Sequence, residues 1–264
     1  MKKNIFILIL FNSCFQFVLA QQTTLKENTK TNRETDSHKI LIIPFEPKLY
    51  LSEIDYYINN ETKLSAKQIK YLFRNGINEE LYKAFKAEKF NALDLMEDTA
   101  KYKKDIDGIY QFLSYDYQKV PNQTVNKEKI KEKKEKKIQK GQLTIETNSD
   151  ARFMNARITD TKTIKTIKQK FNTDIIVFIN ELDIKATGSK NPSELGEGNP
   201  NRKIIVHYTI LSNDLKELNS GTVEEDFNSK LNNPQKIIEM HFSSVASIIV
   251  ARLNKSLNPP SKNN

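Results

Sequence analysis

Five consecutive apolar residues, Ile175-Ile176-Val177-Phe178-Ile179, stand at the centre of the strongest strand signal in the chain, from Asp174 to Ala186. A run this short, rich in β-branched side chains, reads as a core strand rather than a helix. A second apolar run opens at Lys39 and continues to Glu46, interrupted by Pro44 and followed by Pro47. It reads as a buried first strand, with Pro44 at its end or edge because proline cannot donate to a ladder.

Helices to cover these strands are written around them. Ser65-Ala66-Lys67-Gln68 matches a capping box, in which hydroxyl and amide satisfy each other's orphan backbone donors. The helix it starts carries Ile69, Leu72, Phe73, Gly76, Ile77, Leu81, Ala84 and Phe85 on one stripe. Gly76 on that stripe permits close approach of a neighbouring backbone. Phe90 to Met96 suits a strand, and a helix is predicted over 98–117 with Tyr102, Ile106, Ile109, Tyr110, Leu113 and Tyr117 inward. Thr159 to Phe171 carries a short amphipathic helix through Ile164, Ile167 and Phe171. Thr187 to Asn201 is a glycine- and proline-bearing loop. Lys203 to Leu211 and Gly221 to Phe227 form an antiparallel pair. Asn233-Pro234 then starts a last helix that buries Ile238, Phe242, Val245, Ile249 and Leu253. The order implies an α/β (α+β) domain: a mixed, partly antiparallel sheet with helices packed on it.

The first twenty residues set an address. Lys2 and Lys3 precede the apolar residues Ile5 to Phe11, and Val18-Leu19-Ala20 supplies a cleavage site before Gln21. This is the layout of a secretory signal peptide. Asn12, Ser13 and Gln16 break the stretch, so it falls short of the roughly 18–20 apolar residues of a span. Cys14, the single cysteine, is the alternative boundary: lipidation there would tether the chain, whereas cleavage after Ala20 removes the thiol. The expected organisation is a leader over 1–20, a flexible lead-in over 21–38, one domain over 39–257 with an insertion at 118–150, and a disordered tail over 258–264. The expected location is the periplasm or the outer membrane.

Four elements give the chain a resemblance. They are the opening strand Lys39 to Phe45, the helix after it, the strand Asp174 to Ile179 preceded by a short helix, and the hairpin around Tyr208 to Gly221 leading into a terminal helix. Together they resemble the exported α/β domain shared by the curli secretion channel, the lipoprotein activators of peptidoglycan synthases, and the amino-terminal domain of the Tol-system propeller protein. The resemblance implies binding or assembly rather than catalysis. Residues 118–150 show no sustained alternation, so the long pore strands of the curli channel are not expected.

Motifs for cofactor chemistry are absent. The seven glycines form neither GxGxxG nor a P-loop, so no cofactor is expected. The histidines His38, His207 and His241 lack metal-ligand spacing. Glu181 and Asp183 share one strand face, because i and i+2 do in any strand. If the neighbouring strand paired suitably, His207 would join them in a two-carboxylate, one-histidine site. The competing reading is that the strand emerges into solvent after Ile179. Glu224-Glu225-Asp226 reads as a solvated strand end, and Asp105 and Asp107 point to different helix faces. Tyr50, Tyr56 and Tyr57 form either a partner-binding surface or an aromatic lid over the core.

The formal charge is +9, and an exported basic chain meets anionic lipid and wall polymer first. Lys127 to Lys140 concentrates that charge, with eight lysines (Lys127, Lys129, Lys131, Lys133, Lys134, Lys136, Lys137 and Lys140) and three glutamates. They are either a surface-contact patch or a solvated loop or helix. Nucleic acid is not expected, since no aromatic is interleaved with these lysines. No catalytic or metal residue is assigned. The sequence favours a non-catalytic exported protein that binds or scaffolds an envelope partner. A periplasmic hydrolase using strand-end carboxylates, with or without metal, is the alternative, and an oligomeric secretion component is a third reading.

Overall fold

The computed structural model describes residues 38–119, 152–186 and 200–259. The leader with Cys14, the lead-in as far as residue 37, the eight lysines of 127–140 and the end of the tail lie outside the described residues. Along the described chain run β1 (Lys39–Ile43), a 3-10 turn (Pro47–Leu49), β2 (Tyr50–Ser52), α1 (Asp55–Thr62), α2 (Ala66–Ala87), β3 (Asn91–Asp94) and α3 (Thr99–Gln111). They are followed by β4 (Leu113–Lys119), β5 (Arg152–Ile158), α4 (Thr161–Phe171), β6 (Ile175–Ala186), β7 (Pro200–Ser212) and β8 (Glu217–Asn228). A last helix starts as α5 (Pro234–Ile237), passes through a π turn (Ile238–Phe242) and ends as α6 (Ser243–Leu257).

The main sheet has the order β3-β1-β6-β7-β8, with β2 alongside β6. β1 is parallel to β3 and β6, β2 is parallel to β6, and β7 and β8 add antiparallel hairpins. The mixed α/β class is therefore observed. Helices cover both faces. On one, α2 and α6 bury Ile40, Ile42, Val177 and Ile179 against Phe73, Ile77, Leu81 and Ile249. On the other, α3 and α4 bury Leu41, Ile43, Ile176 and Phe178 against Ile106, Ile109, Ile164 and Ile167. Two covered faces explain why β1 and the first half of β6 are unbroken apolar runs, as strands buried on both sides are.

The local signals act as their chemistry requires. Ser65 Oγ accepts the Gln68 amide at 3.4 Å, and Gln68 Oε1 accepts the Ser65 amide at 2.9 Å. Asn233 Oδ1 accepts the Lys236 amide at 3.1 Å, with Pro234 in the first turn. A Cβ on Gly76 would lie 2.7 Å from Ile238 Cδ1, so glycine is what lets α2 touch the π turn. Among the described residues, no helix is long and apolar enough to cross a membrane.

Three sequence expectations need correction. The helix predicted over 98–117 stops at Gln111, and Leu113 to Lys119 is the strand β4. Leu113, Tyr115 and Tyr117 alternate with Ser114, Asp116 and Gln118, a period-2 pattern that overrides the i, i+4 coincidence of Leu113 with Tyr117. The insertion does not begin at 118: Gln118 and Lys119 belong to β4 and pair with Phe153 and Arg152 of β5. β4 and β5 form a separate two-stranded ribbon, so residues 120–151 link its two strands. Finally, β6 does not emerge into solvent after Ile179. It runs to Ala186 and stays buried as far as Ile184.

Candidate functional site

A β-bulge builds the most unusual site in the molecule. Ile179 opposes Tyr208 and Glu181 opposes His207, so Asn180 is an extra residue on β6 with no partner in the ladder. A bulge of this kind lets two successive side chains leave the same side of the strand. Before it, Ile175, Val177 and Ile179 face α2 and α6. After it, Leu182 and Ile184 face them. Asn180, Glu181 and Asp183 turn to the opposite side, where the ribbon lies. Residues directly opposite in an antiparallel pair share a face, so His207 joins Glu181 there. The pairing that a two-carboxylate, one-histidine site requires is present.

All three groups are buried: Glu181 is 2% exposed, Asp183 6% and His207 4%. One ligand-type atom from each lies within 4.8 Å of the others. His207 Nε2 sits 3.5 Å from Glu181 Oε1 and 4.0 Å from Asp183 Oδ2. Lys185 Nζ stands 3.8 Å from Asp183. Tyr117 of β4 donates its hydroxyl to Glu181 Oε2 at 2.8 Å. The ribbon is tied down by side chains where a further strand would otherwise pair. The Met154 amide donates to His207 Nδ1 at 2.9 Å, and the Ala156 amide to Thr209 Oγ1 at 3.0 Å. Asn180 Nδ2 donates to the Met154 carbonyl at 2.7 Å and to Thr209 Oγ1 at 2.8 Å. Thr209 in turn donates to Asn155 Oδ1 at 2.6 Å, and Asn155 Nδ2 donates to Glu217 at 3.0 Å.

Burial sets the charge states. Loss of solvation, reinforced by the Asp183 charge, pushes the Glu181 carboxyl up to about 7. Loss of solvation and then Lys185 push the His207 imidazole down to about 4. The ring is therefore neutral, and its tautomer is fixed by geometry. Nδ1 accepts the Met154 N–H, so the proton sits on Nε2 and points at the carboxylates.

That tautomer decides how a metal fits. A divalent cation held by two carboxylates and Nε2 has a plausible donor set by type. A metal-bound histidine, however, normally donates through its other ring nitrogen. Here the other nitrogen accepts, and Nε2 could take a metal only as an imidazolate. With this tautomer the three side chains do not fit a resident metal ion.

The other place to look is the carboxyl end of the parallel strands where chain order reverses, the usual ligand crevice of open α/β sheets. β1 lies between β3 and β6, so this is the end of β1. The protein's own side chains occupy it. Arg74 donates from Nε to the Phe45 carbonyl and from Nη2 to Tyr110 Oη, both at 2.7 Å, and Tyr110 donates to the Pro44 carbonyl at 2.7 Å. Burial pushes the Tyr110 phenol up to about 12. At the edge of the sheet a groove of about 410 Å³ is lined by Tyr71, Asn75, Tyr82, Asp94, Met96 and Glu97 among others. Asp94 is held at its floor by Asn78 and the Met96 amide.

The remaining candidates are dispersed. His38 stacks near Phe90, and His241 lies against Phe227 with Nδ1 3.3 Å from Glu225, so neither joins His207. Glu224 and Asp226 are exposed. Tyr50 is in the core between Phe45 and Phe73 with its hydroxyl on Asp55. Tyr56 and Tyr57 are 71% and 50% exposed, edge to face at 5.7 Å, and the Arg202 guanidinium lies 5.3 Å over the Tyr57 ring. The tyrosine cluster is thus one core residue and two surface residues. Sequence reasoning missed Tyr117, Asn155, Asn180 and Thr209. The alternation around Tyr117 was the available signal for one of them.

No protein-family model, curated protein or solved structure matches this chain.

Proposed function

We propose that this chain is an exported, non-catalytic module that binds or scaffolds a cell-envelope partner. The observation that carries the reading is the roof over Glu181, Asp183 and His207. These are the residues best suited to acid–base chemistry, and none exceeds 6% exposure. A catalytic carboxylate must reach the proton it moves, and the ribbon stands between these groups and any substrate. The leader sequence and the resemblance to exported binding domains support the same reading. Two features offer contact surfaces. Leu51, Tyr56 and Tyr57 are exposed apolar residues on the segment between β1 and α2, a composition enriched at interfaces. The basic stretch 127–140 joins strands whose ends, Lys119 and Arg152, pair directly.

Capture from an envelope fraction of the native host tests the proposal, comparing the wild-type chain with a Tyr56→Ser/Tyr57→Ser variant and with one in which the eight lysines become glutamine. A stoichiometric partner that either variant loses supports it. Recovery of no partner, with no retention on vesicles containing phosphatidylglycerol, would sink it.

The competing reading is a metal-assisted hydrolase, favoured by the convergence of the same three side chains within 4.8 Å. Metal analysis of purified protein separates the two: a stoichiometric divalent cation lost on Glu181→Gln substitution supports the hydrolase and is incompatible with a proton on His207 Nε2.

A further inference from the structure

We infer that the groove between α2 and the turn after β3 is a binding site for a linear aliphatic diamine or polyamine, with Asp94 as the anchor for one ammonium group. None of its residues belongs to the proposed partner surface, so the two readings stand or fall separately. Tyr71, Asn75, Glu79 and Tyr82 recur on α2 at spacings of four, four and three, so they share one face of the helix. Asp94 ends β3, and Met96 and Glu97 follow it in the turn before α3. These two segments wall the groove of about 410 Å³, a size that suits a small ligand. At its floor Asp94 is only 5% exposed. Both of its protein donors, Asn78 Nδ2 at 2.7 Å and the Met96 amide at 2.9 Å, go to Oδ1. Oδ2 has no partner among the described residues and is not sealed in the core, so it opens onto the groove. Asn78 holds this arrangement at a cost, because its own Oδ1 is buried without a partner. A carboxylate this deep, gripped through one oxygen and bare at the other, calls for a cation from outside.

The rest of the lining says which cation. Glu79 and Glu97 add two exposed carboxylates to Asp94, against the single ammonium of Lys83. Lys83 is engaged by Glu79 at 2.8 Å and by Glu80 at 2.9 Å. Arg74, whose field reaches Asp94, donates from Nε and Nη2 to the Phe45 carbonyl and the Tyr110 hydroxyl. The groove is therefore a negative recess on a chain whose formal charge is +9. A metal ion is a poor match. Among the described residues only Glu181, Asp183 and His207 bring three such ligand atoms within 4.8 Å of one another, so Glu79, Asp94 and Glu97 are too far apart to hold one ion together. Separated carboxylates suit charges carried at intervals on an aliphatic chain, and Tyr71, Tyr82 and Met96 supply apolar surface for its methylenes. One ammonium sits on Asp94 Oδ2, and a second is held by Glu97 at the rim. Tyr82 already carries the Lys86 ammonium 5.8 Å from its ring centroid, a contact of the same kind.

Isothermal titration of the purified full chain with spermidine, and with butylamine as a single-charge control, tests the assignment. One spermidine per chain should bind saturably, and butylamine about tenfold more weakly. D94N keeps an oxygen for Asn78 and the Met96 amide but sets an amide donor where the ammonium would sit. It should weaken spermidine by about tenfold or more. E97Q alters an exposed side chain and should weaken it several-fold, so the site can be read even if D94N fails to fold. E224Q, outside the groove, should leave the affinity unchanged. No saturation by about 1 mM spermidine, equal affinity for the two amines, or an affinity that D94N or E97Q leaves unchanged would each overturn the proposal.

Discussion

The two halves of β6 solve the same burial problem by different means. Ile175 to Ile179 lies between two apolar layers, and each side chain needs only neighbours of the right size. From Asn180 onward one face stays apolar, through Leu182 and Ile184, while the other carries an amide and two carboxyls. Dispersion and hydrophobic burial tolerate approximate partners, but a buried polar group needs a particular donor or acceptor. The first half is therefore set by the strand's own sequence. The second depends on residues far away, since Tyr117, Met154, Asn155 and Thr209 complete it.

Truncating the apolar half should give the largest effect. Phe178 is 1% exposed and packs in the layer with Ile106 and Ile164. Phe178→Ala should destabilise the domain by about 3–5 kcal/mol, read as a lower denaturant midpoint. A loss below about 1 kcal/mol would mean that this half is less tightly packed than the comparison requires.

The polar half should instead announce itself through pH. The Glu181 carboxyl is raised from its ordinary 4.5 to about 7, so the folded protein holds this proton more tightly than the unfolded chain. Its contribution is full below about pH 4.5 and is lost as pH climbs through about 7, a difference of about 3 kcal/mol. His207 is lowered from 6.5 to about 4, so its contribution is full above 6.5 and is lost as pH falls toward 4. Between about pH 4.5 and 6.5 the two slopes oppose, and stability should be nearly flat there. Above 6.5 the Glu181 slope stands alone. Glu181→Gln should remove that alkaline limb, leaving the variant more stable than wild type at about pH 8 by up to about 3 kcal/mol. Urea denaturation across pH checks this, and an unchanged alkaline limb in the variant would refute the assignment.

The same contrast explains what the sequence made legible. The apolar runs of β1 and β6, the capping box at Ser65 and the Asn233-Pro234 start are local patterns, and each folds as its pattern dictates. The face shared by Glu181 and Asp183 was legible too, because strand geometry fixes it. Their burial was not, since it rests on a one-residue bulge at Asn180 and on β5. The segment Arg152 to Ile158 has four successive buried residues and no alternation to mark it. The helix reading of Leu113 to Tyr117 then hid its partner strand. Thr209 shows how far this non-local dependence goes: it accepts from the Ala156 amide and from Asn180, and donates to Asn155. Thr209→Val keeps the shape and removes all three bonds, leaving a buried amide without an acceptor, at a cost of about 2 kcal/mol. Exchange at the Ala156 amide should rise along with it. A neutral substitution would show that water or a shifted side chain replaces the hydroxyl.

The smallest expected effect is also the finest probe of the charge on the cluster. Tyr117→Phe deletes one hydroxyl, whose hydrogen bond to Glu181 favours the ionised carboxyl. At about pH 5 that carboxyl is protonated in the folded state, and the loss is that of a neutral hydrogen bond, about 1 kcal/mol. At about pH 8 the carboxylate is ionised, and the same deletion removes a charge-assisted bond worth about twice as much. The penalty should therefore grow with pH, and the midpoint of the alkaline limb should move upward because the ionised form has lost a donor. A pH-independent penalty would mean that Glu181 does not change charge over this range, and the two halves of β6 would then differ in composition but not in electrostatic behaviour.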